Sequence, residues 1–240
     1  MKRTEIFIAG LLLVASIFAA IWHAHSMRLH LDMPPGRNLP VASFQLFMAD
    51  EDSDWVQAVP GDQLADGFQD SHFYTDAVHG AVTFSWPEGA SGENVRVFLS
   101  ESGDGWDTEL ISILEADAAV PLTDECLTIA RICQFGSLQP LCSLVYGKGG
   151  QIELVLADAT GADVSQRIRL QVIPPGQRFH FSLSVRRQLL HVTVGDHSLN
   201  VDLPADSSEM RFVFQTGLCT PVKPGTSLRI FSLATTHKKI

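Results

Sequence analysis

The chain has 240 residues, 45% of them hydrophobic and 18% charged, with a formal net charge of −10. That much apolar sequence can bury a full core unaided, so neither a metal nor another cofactor is expected. The acidic balance argues against nucleic acid as a partner, because a phosphate backbone is gripped by surplus Lys and Arg. It also repels polyanionic glycans at long range, although a local cluster of arginines in a cleft overrides this at short range.

Residues 1–26, MKRTEIFIAGLLLVASIFAAIWHAHS, place Lys2 and Arg3 ahead of an uncharged run from Ile6 to Trp22. This reads as a hydrophobic export helix. The run is long for the apolar part of a cleaved signal (~7–15 residues) and short for a spanning helix (~20), so a signal peptide ending at Ser26 and an N-terminal membrane anchor both fit. A buried core helix fits less well, since a charged end and a following polar, Pro-containing stretch match targeting. Either outcome places the remainder in the periplasm or outside the cell, with membrane contact only through this segment. Disulfides persist there, and Cys126, Cys133, Cys142 and Cys219 allow two bridges in three connectivities. The four lack C-x-x-C spacing and have no histidine at a ligand-like distance, which argues against zinc.

Residues 27–40, MRLHLDMPPGRNLP, read as a linker, and residues 41–240 as one domain rich in strand signals. AVTFSW (81–86), NVRVFLS (94–100), LTIARICQ (127–134), LCSLVY (141–146), QIELVLA (151–157), RIRLQVI (167–173), RFHFSLSV (178–185), LLHVTVG (189–195), SLNVDL (198–203), MRFVFQTG (210–217) and SLRIFSLATT (227–236) are short and alternating, with β-branched or aromatic residues. Turn formers such as YGKGGQ, PPGQ and VGDHS separate them. GWDTELISILEADAA (105–119) fits either a short helix or a further strand pair. An all-β sandwich of antiparallel sheets follows.

General catalytic motifs are missing: there is no G-x-S-x-G elbow, H-E-x-x-H pair, phosphate-binding glycine loop or calcium loop. Strand alternation instead puts Arg131 and Cys133 on one face, opposite Ile132, and does the same for Val213, Gln215, Gly217 and Cys219. A face that mixes Arg, Gln and Cys suits a groove better than a core. Arg167, Arg169, Arg186 and Arg187 form either a basic strip for an acidic glycan or, as strand arginines more often do, a solvated outer face. Trp55, Trp86 and Trp106 either stack on sugar rings or pack at strand ends. His191 and His237 read as surface or capping residues.

The order of three segments resembles the alginate lyase domain of polysaccharide lyase family 7. RFVFQTGLCTPVKPGTSLRIFSLATTH (211–237) is similar to the family's closing Tyr-Phe-Lys-Ala-Gly-x-Tyr-x-Gln pattern, loop and final strand ending in Ser/Thr-His. FYTDAVHGAVTFSWPEGASGENVRVFLSES resembles the approach to its Arg-Ser/Thr-Glu-Leu-Arg-Glu motif, and TIARICQFGSLQPLCSLVYGKGGQIELVL the region of its Gln-Ile-His motif. The resemblance implies a concanavalin-like β-jelly roll of two antiparallel sheets that holds an acidic polysaccharide such as alginate.

Carried over residue by residue, the resemblance also implies a degenerate site. Arg96 and Glu101 stand at the family's first arginine and last glutamate, with Phe98 and Ser100 at the internal glutamate and second arginine. Arg131 and Cys133 stand at the glutamine and histidine. Val213, Gln215, Cys219 and Pro221 stand at the first tyrosine, lysine, catalytic tyrosine and final glutamine. Members cleave uronate chains by β-elimination, with a base taking the acidic C–H proton and a tyrosine protonating the departing oxygen. Cys133 and Cys219 would then line one cleft, either bridged by a disulfide or as small buried thiols, with Cys133–Cys142 a further pairing. The leading expectation is an exported lyase-like domain that binds an acidic polysaccharide through Arg96, Arg131 and Gln215 without cutting it, or serves the cell envelope structurally, with an envelope protein as a candidate partner. The alternative is an active lyase with a rearranged site in which a Cys133 thiolate, favoured by Arg131, is the base.

Overall fold

Alternation of apolar and polar side chains, with turn formers between the runs, favours strands that bury one face each. In a computed structural model, which describes residues 29–50, 55–89, 95–137, 139–157, 164–203, 207 and 210–239, these runs form two antiparallel sheets. The export segment expected over residues 1–26 lies outside the described residues. In chain order the strands are β1 (Phe44–Asp50), β2 (Trp55–Val59), β3 (Phe73–Asp76), β4 (Ala81–Ser85), β5 (Val95–Glu101), β6 (Leu110–Ala119), β7 (Leu127–Gln134) and β8 (Pro140–Tyr146). They continue with β9 (Gln151–Ala157), β10 (Val164–Val172), β11 (Phe179–Arg186), β12 (Leu189–Val194), β13 (His197–Asp202), β14 (Phe212–Val222) and β15 (Ser227–Lys239).

One sheet has eight strands in the order β10-β9-β8-β7-β14-β5-β1-β2, and the other seven in the order β13-β12-β11-β6-β15-β4-β3. The two C-terminal strands thus enter the middle of both sheets, β14 between β7 and β5 and β15 between β6 and β4. This is a β-jelly-roll sandwich, as expected. The inner faces meet in one core: Phe44, Leu46, Leu99, Ile132 and Phe214 from the first sheet, Phe84, Leu114, Phe181 and Ile230 from the second. Each fully buried side chain of this kind contributes about 1.5–3 kcal/mol relative to exposure.

The ambiguous stretch 105–119 resolves as the single strand β6. Leu114, Ala116 and Ala118 are buried while Glu115 and Asp117 point outward, a period of two that a helix cannot satisfy. Two short helices, α1 (Pro35–Asn38) and α2 (Gly61–Asp66), pack on each other beside β1. Asn38 fastens this end: its Nδ2 donates to the carbonyls of His30 and Met33 and to Thr75 Oγ1, at 2.9, 3.1 and 3.1 Å.

Candidate functional site

The site is built on the outer face of the eight-stranded sheet. Strand register places Gln45, Ser100, Gln215, Arg131, Ser143, Val155 and Arg167 in one row from β1 to β10. Arg131 and Cys133 do share this face while Ile132 enters the core, and on β14 Phe212, Phe214 and Leu218 enter the core while Val213, Gln215 and Cys219 do not. Gly217 follows from the close approach of β5: with φ at +130°, a Cβ there would lie 2.7 Å from Phe98 Cα.

A polar chain crosses the middle of the face. Arg131 Nε donates to Gln215 Oε1 at 2.5 Å, Gln215 Nε2 donates to Ser100 Oγ at 3.1 Å, and the Cys133 thiol lies 3.5 Å from Gln215 Oε1. The guanidinium sits 5.3 Å from the centroid of the Phe98 ring, which stacks on Phe47 at 5.5 Å. Arg131 is only 6% exposed, yet among the described residues no carboxyl group pairs with it and its Nη2 finds no hydrogen-bond partner. A buried guanidinium without a counter-charge is costly, and its field is felt strongly in a low-dielectric floor. Beside this chain a pocket of about 410 Å³ opens between Gln45, Phe47, Phe98, Phe135, Val213 and Gln215.

The four cysteines are free, which corrects the expectation of disulfides. Register gives the reason. Cys133 pairs with Val213, while Cys219 lies on β14 beyond both Gln215 and Gly217, so the Gln215–Arg131 row separates the two. Same-face positions along a strand are ~6.8 Å apart, and a disulfide needs Cα atoms within ~7 Å. Cys133–Cys142 fails differently: Cys142 points into the core and Cys133 to the opposite face. Cys126 is exposed just ahead of β7.

Burial raises the thiol of Cys133 to about 11, outweighing the pull of Arg131 and then Arg96 toward the thiolate. Burial likewise pushes Cys219 up to about 12. Both shifts favour the thiol over the thiolate near neutral pH.

The arginines considered together in the sequence divide between the sheets. Arg167 pairs with Val155 and Arg169 with Glu153, on the same face as Arg131, whereas Arg186 ends β11 and Arg187 lies in the β11–β12 turn. Arg96, opposite Ala49, also faces this side. Trp86 and Trp106 are core residues, unable to stack on a sugar; the Trp55 side chain lies outside the described ones. His191 bonds Asn200 on the second sheet, 2.7 Å away.

His237 proves to be more than a cap. Its Nε2 lies 2.9 Å from Glu101 Oε1 and its Nδ1 2.9 Å from Ser112 Oγ. Glu101 Oε2 in turn accepts the backbone N–H of Phe214 at 2.9 Å and the indole N–H of Trp106 at 3.1 Å. Glu101 therefore ties β5 to β14, β15 and the loop before β6 at one edge of the pocket. Sequence reading identified Glu101 only by its motif position, because two of its partners, Phe214 and His237, lie more than a hundred residues away.

No protein-family sequence model and no curated protein sequence matches the chain. Solved structures do. Family 7 alginate lyase A1-II′, in complex with a product (GGG), superposes with a TM-score of 0.71 at 20% identity, covering 86% of this chain and all (100%) of that one. An alginate lyase from Pseudomonas aeruginosa gives 0.69 at 18% identity over 82% of this chain and 99% of its own, and one from Klebsiella pneumoniae 0.68 at 17% over 85% and 98%. Such coverage at such low identity shows a shared fold, and the chain is accordingly an alginate-lyase-like β-jelly roll.

Proposed function

We propose that this domain holds an acidic polysaccharide, of the uronate type, on the outer face of its eight-stranded sheet and does not cleave it. The observation that carries the reading is Arg131, a buried cation with no carboxyl partner among the described residues. A ligand carboxylate above it would supply the missing counter-charge, and Arg96 on the same face adds to the attraction. The fold likeness supports the choice of ligand: one solved neighbour is an alginate lyase in complex with dimannuronate, and another carries its product.

The chemistry of elimination supports the second half of the reading. A base has to take the proton beside the carboxylate, and an acid has to protonate the departing oxygen; positioned groups supply ~10²–10⁴-fold each. At the two positions where the family resemblance expects them stand Cys133 and Cys219, both buried and held as thiols up to about 11 and about 12. Neither reaches a sugar as a base near neutral pH. The N-terminal segment, read as a signal or anchor, would place such a binding module in the cell envelope.

The test pairs an absorbance assay for unsaturated uronate ends with retention of the purified protein on a polyuronate gel. Retention that weakens with salt, and no unsaturated product from alginate or other polyuronates, is the expected result. Product that disappears on Cys133→Ala substitution would establish a rearranged lyase instead.

A further inference from the structure

We infer that the β9–β10 edge of the same face forms a second anion site, built from Arg167 and Arg169, so that the ligand is an oligomer lying across the strands and held at both ends. This rests on the binding reading above and adds a length requirement to it. Arg167 Nη1 lies 3.3 Å from Glu153 Oε2 and Arg169 Nε 3.9 Å from Glu153 Oε1, and Gln151 Nε2 also donates to Glu153. Among the described residues, two guanidinium groups thus share a single carboxyl. The carboxyl is mostly covered, at 20% exposure, while Arg167 and Arg169 are 57% and 80% exposed and free to meet a ligand.

The alignment with Arg131 gives this arrangement its meaning. Register puts Arg131, Ser143, Val155 and Arg167 side by side on β7, β8, β9 and β10. Three strand spacings of ~4.8 Å set the two arginines roughly 14 Å apart at the backbone. The side chains between them, Ser143 and Val155, are small and leave the path open. Among the described side chains of this face from β7 to β10, Glu153 is the one acidic residue, against Arg131, Arg167 and Arg169, in a chain whose net charge is −10. A solvated surface has no need to gather its arginines on the face that also buries an unpaired one. A single sugar carboxylate meets one end of this row, and only a chain of several uronates meets both.

Calorimetry on the full chain with diuronate and hexauronate tests the inference. The wild-type protein should bind hexauronate roughly tenfold more tightly than diuronate, from two added exposed guanidinium contacts. The Arg167→Gln/Arg169→Gln variant should lose that advantage and show a shallower salt dependence, while its diuronate affinity stays as in the wild type. Glu153→Gln, which frees both arginines, should tighten hexauronate binding. If the double variant binds hexauronate as the wild type does, the second site is wrong and the binding function stands. If the wild type binds neither oligomer, both are overturned.

Discussion

Two charged side chains of the eight-stranded sheet are both largely covered and oppositely served. The Glu101 side chain is 6% exposed although the residue as a whole is half-buried, and Arg131 is buried as a whole residue. The Glu101 carboxyl meets the Phe214 amide, the Trp106 indole and His237, so both of its oxygens are engaged. Arg131 has Gln215 and the Phe98 ring, no carboxyl partner among the described residues, and an Nη2 with nothing to donate to. Most buried polar groups are satisfied within the protein, since an orphan costs about 1–3 kcal/mol, and Arg131 Nη2 shares the orphaned state with Thr83 Oγ1 and Ser207 Oγ. Arg131 combines such an orphaned atom with a charge that no described carboxyl group offsets, and this is the feature on which the binding proposal rests.

The sharpest way to break the comparison is to remove the satisfied member. Glu101→Ala orphans the Phe214 N–H and the Trp106 indole N–H together, and should lower unfolding stability by about 3 kcal/mol in urea denaturation. Glu101→Gln keeps a carbonyl for those donors and an amide for His237, and should cost no more than about 1 kcal/mol. Equal losses in the two variants would show that the hub works by packing alone. Arg131→Met goes the other way. Replacing an incompletely compensated buried charge by an apolar chain of similar length should raise stability by about 1–2 kcal/mol. The same variant should lose retention on a polyuronate gel. A destabilised Arg131→Met protein would mean that the Gln215 bond and the Phe98 contact outweigh the cost of the charge, and Arg131 would then belong with Glu101.

These two residues also mark where sequence reading succeeds and where it stops. The alternation that sends Ile132 inward and Arg131 and Cys133 outward is local, and so is the matching pattern from Val213 to Cys219; both were legible because a strand has a fixed period. The closing segment 211–237 carried enough of the family's order to give the jelly roll. Other features were not local. The Glu101 hub assembles β5, β14, β15 and the loop before β6, and nothing in one segment announces the others. The side taken by Arg167 and Arg169 was unreadable for a second reason. Register shifts between Val164 and Gln166 and between Arg169 and Gln171 interrupt the alternation of β10, so counting by twos along it loses its phase. The disulfide expectation failed on register too: a family position says which cleft a residue faces, and only strand pairing says how many rows apart two residues stand.

The effect that vanishes near neutral pH is the one that reports most directly on the field of Arg131. Cys133, Cys142 and Cys219 have thiols raised by burial from an ordinary 9.0 to about 11, about 12 and about 12. The folded state therefore holds these protons more tightly than the unfolded state. The linked stability is fully present below pH 9 and is lost as the pH climbs toward 12, because the unfolded chain releases the protons first. Denaturation midpoints should accordingly be flat from neutral pH to about 9 and fall above it, and iodoacetamide at neutral pH should label Cys126 alone. In Arg131→Met the larger of the two attractions that hold Cys133 and Cys219 down is gone, leaving that of Arg96, so both thiols should rise further and the alkaline decline should extend to higher pH. An unchanged decline in that variant would mean that the guanidinium field does not reach the sulfurs, and with it would go the idea that Arg131 projects its charge across this face.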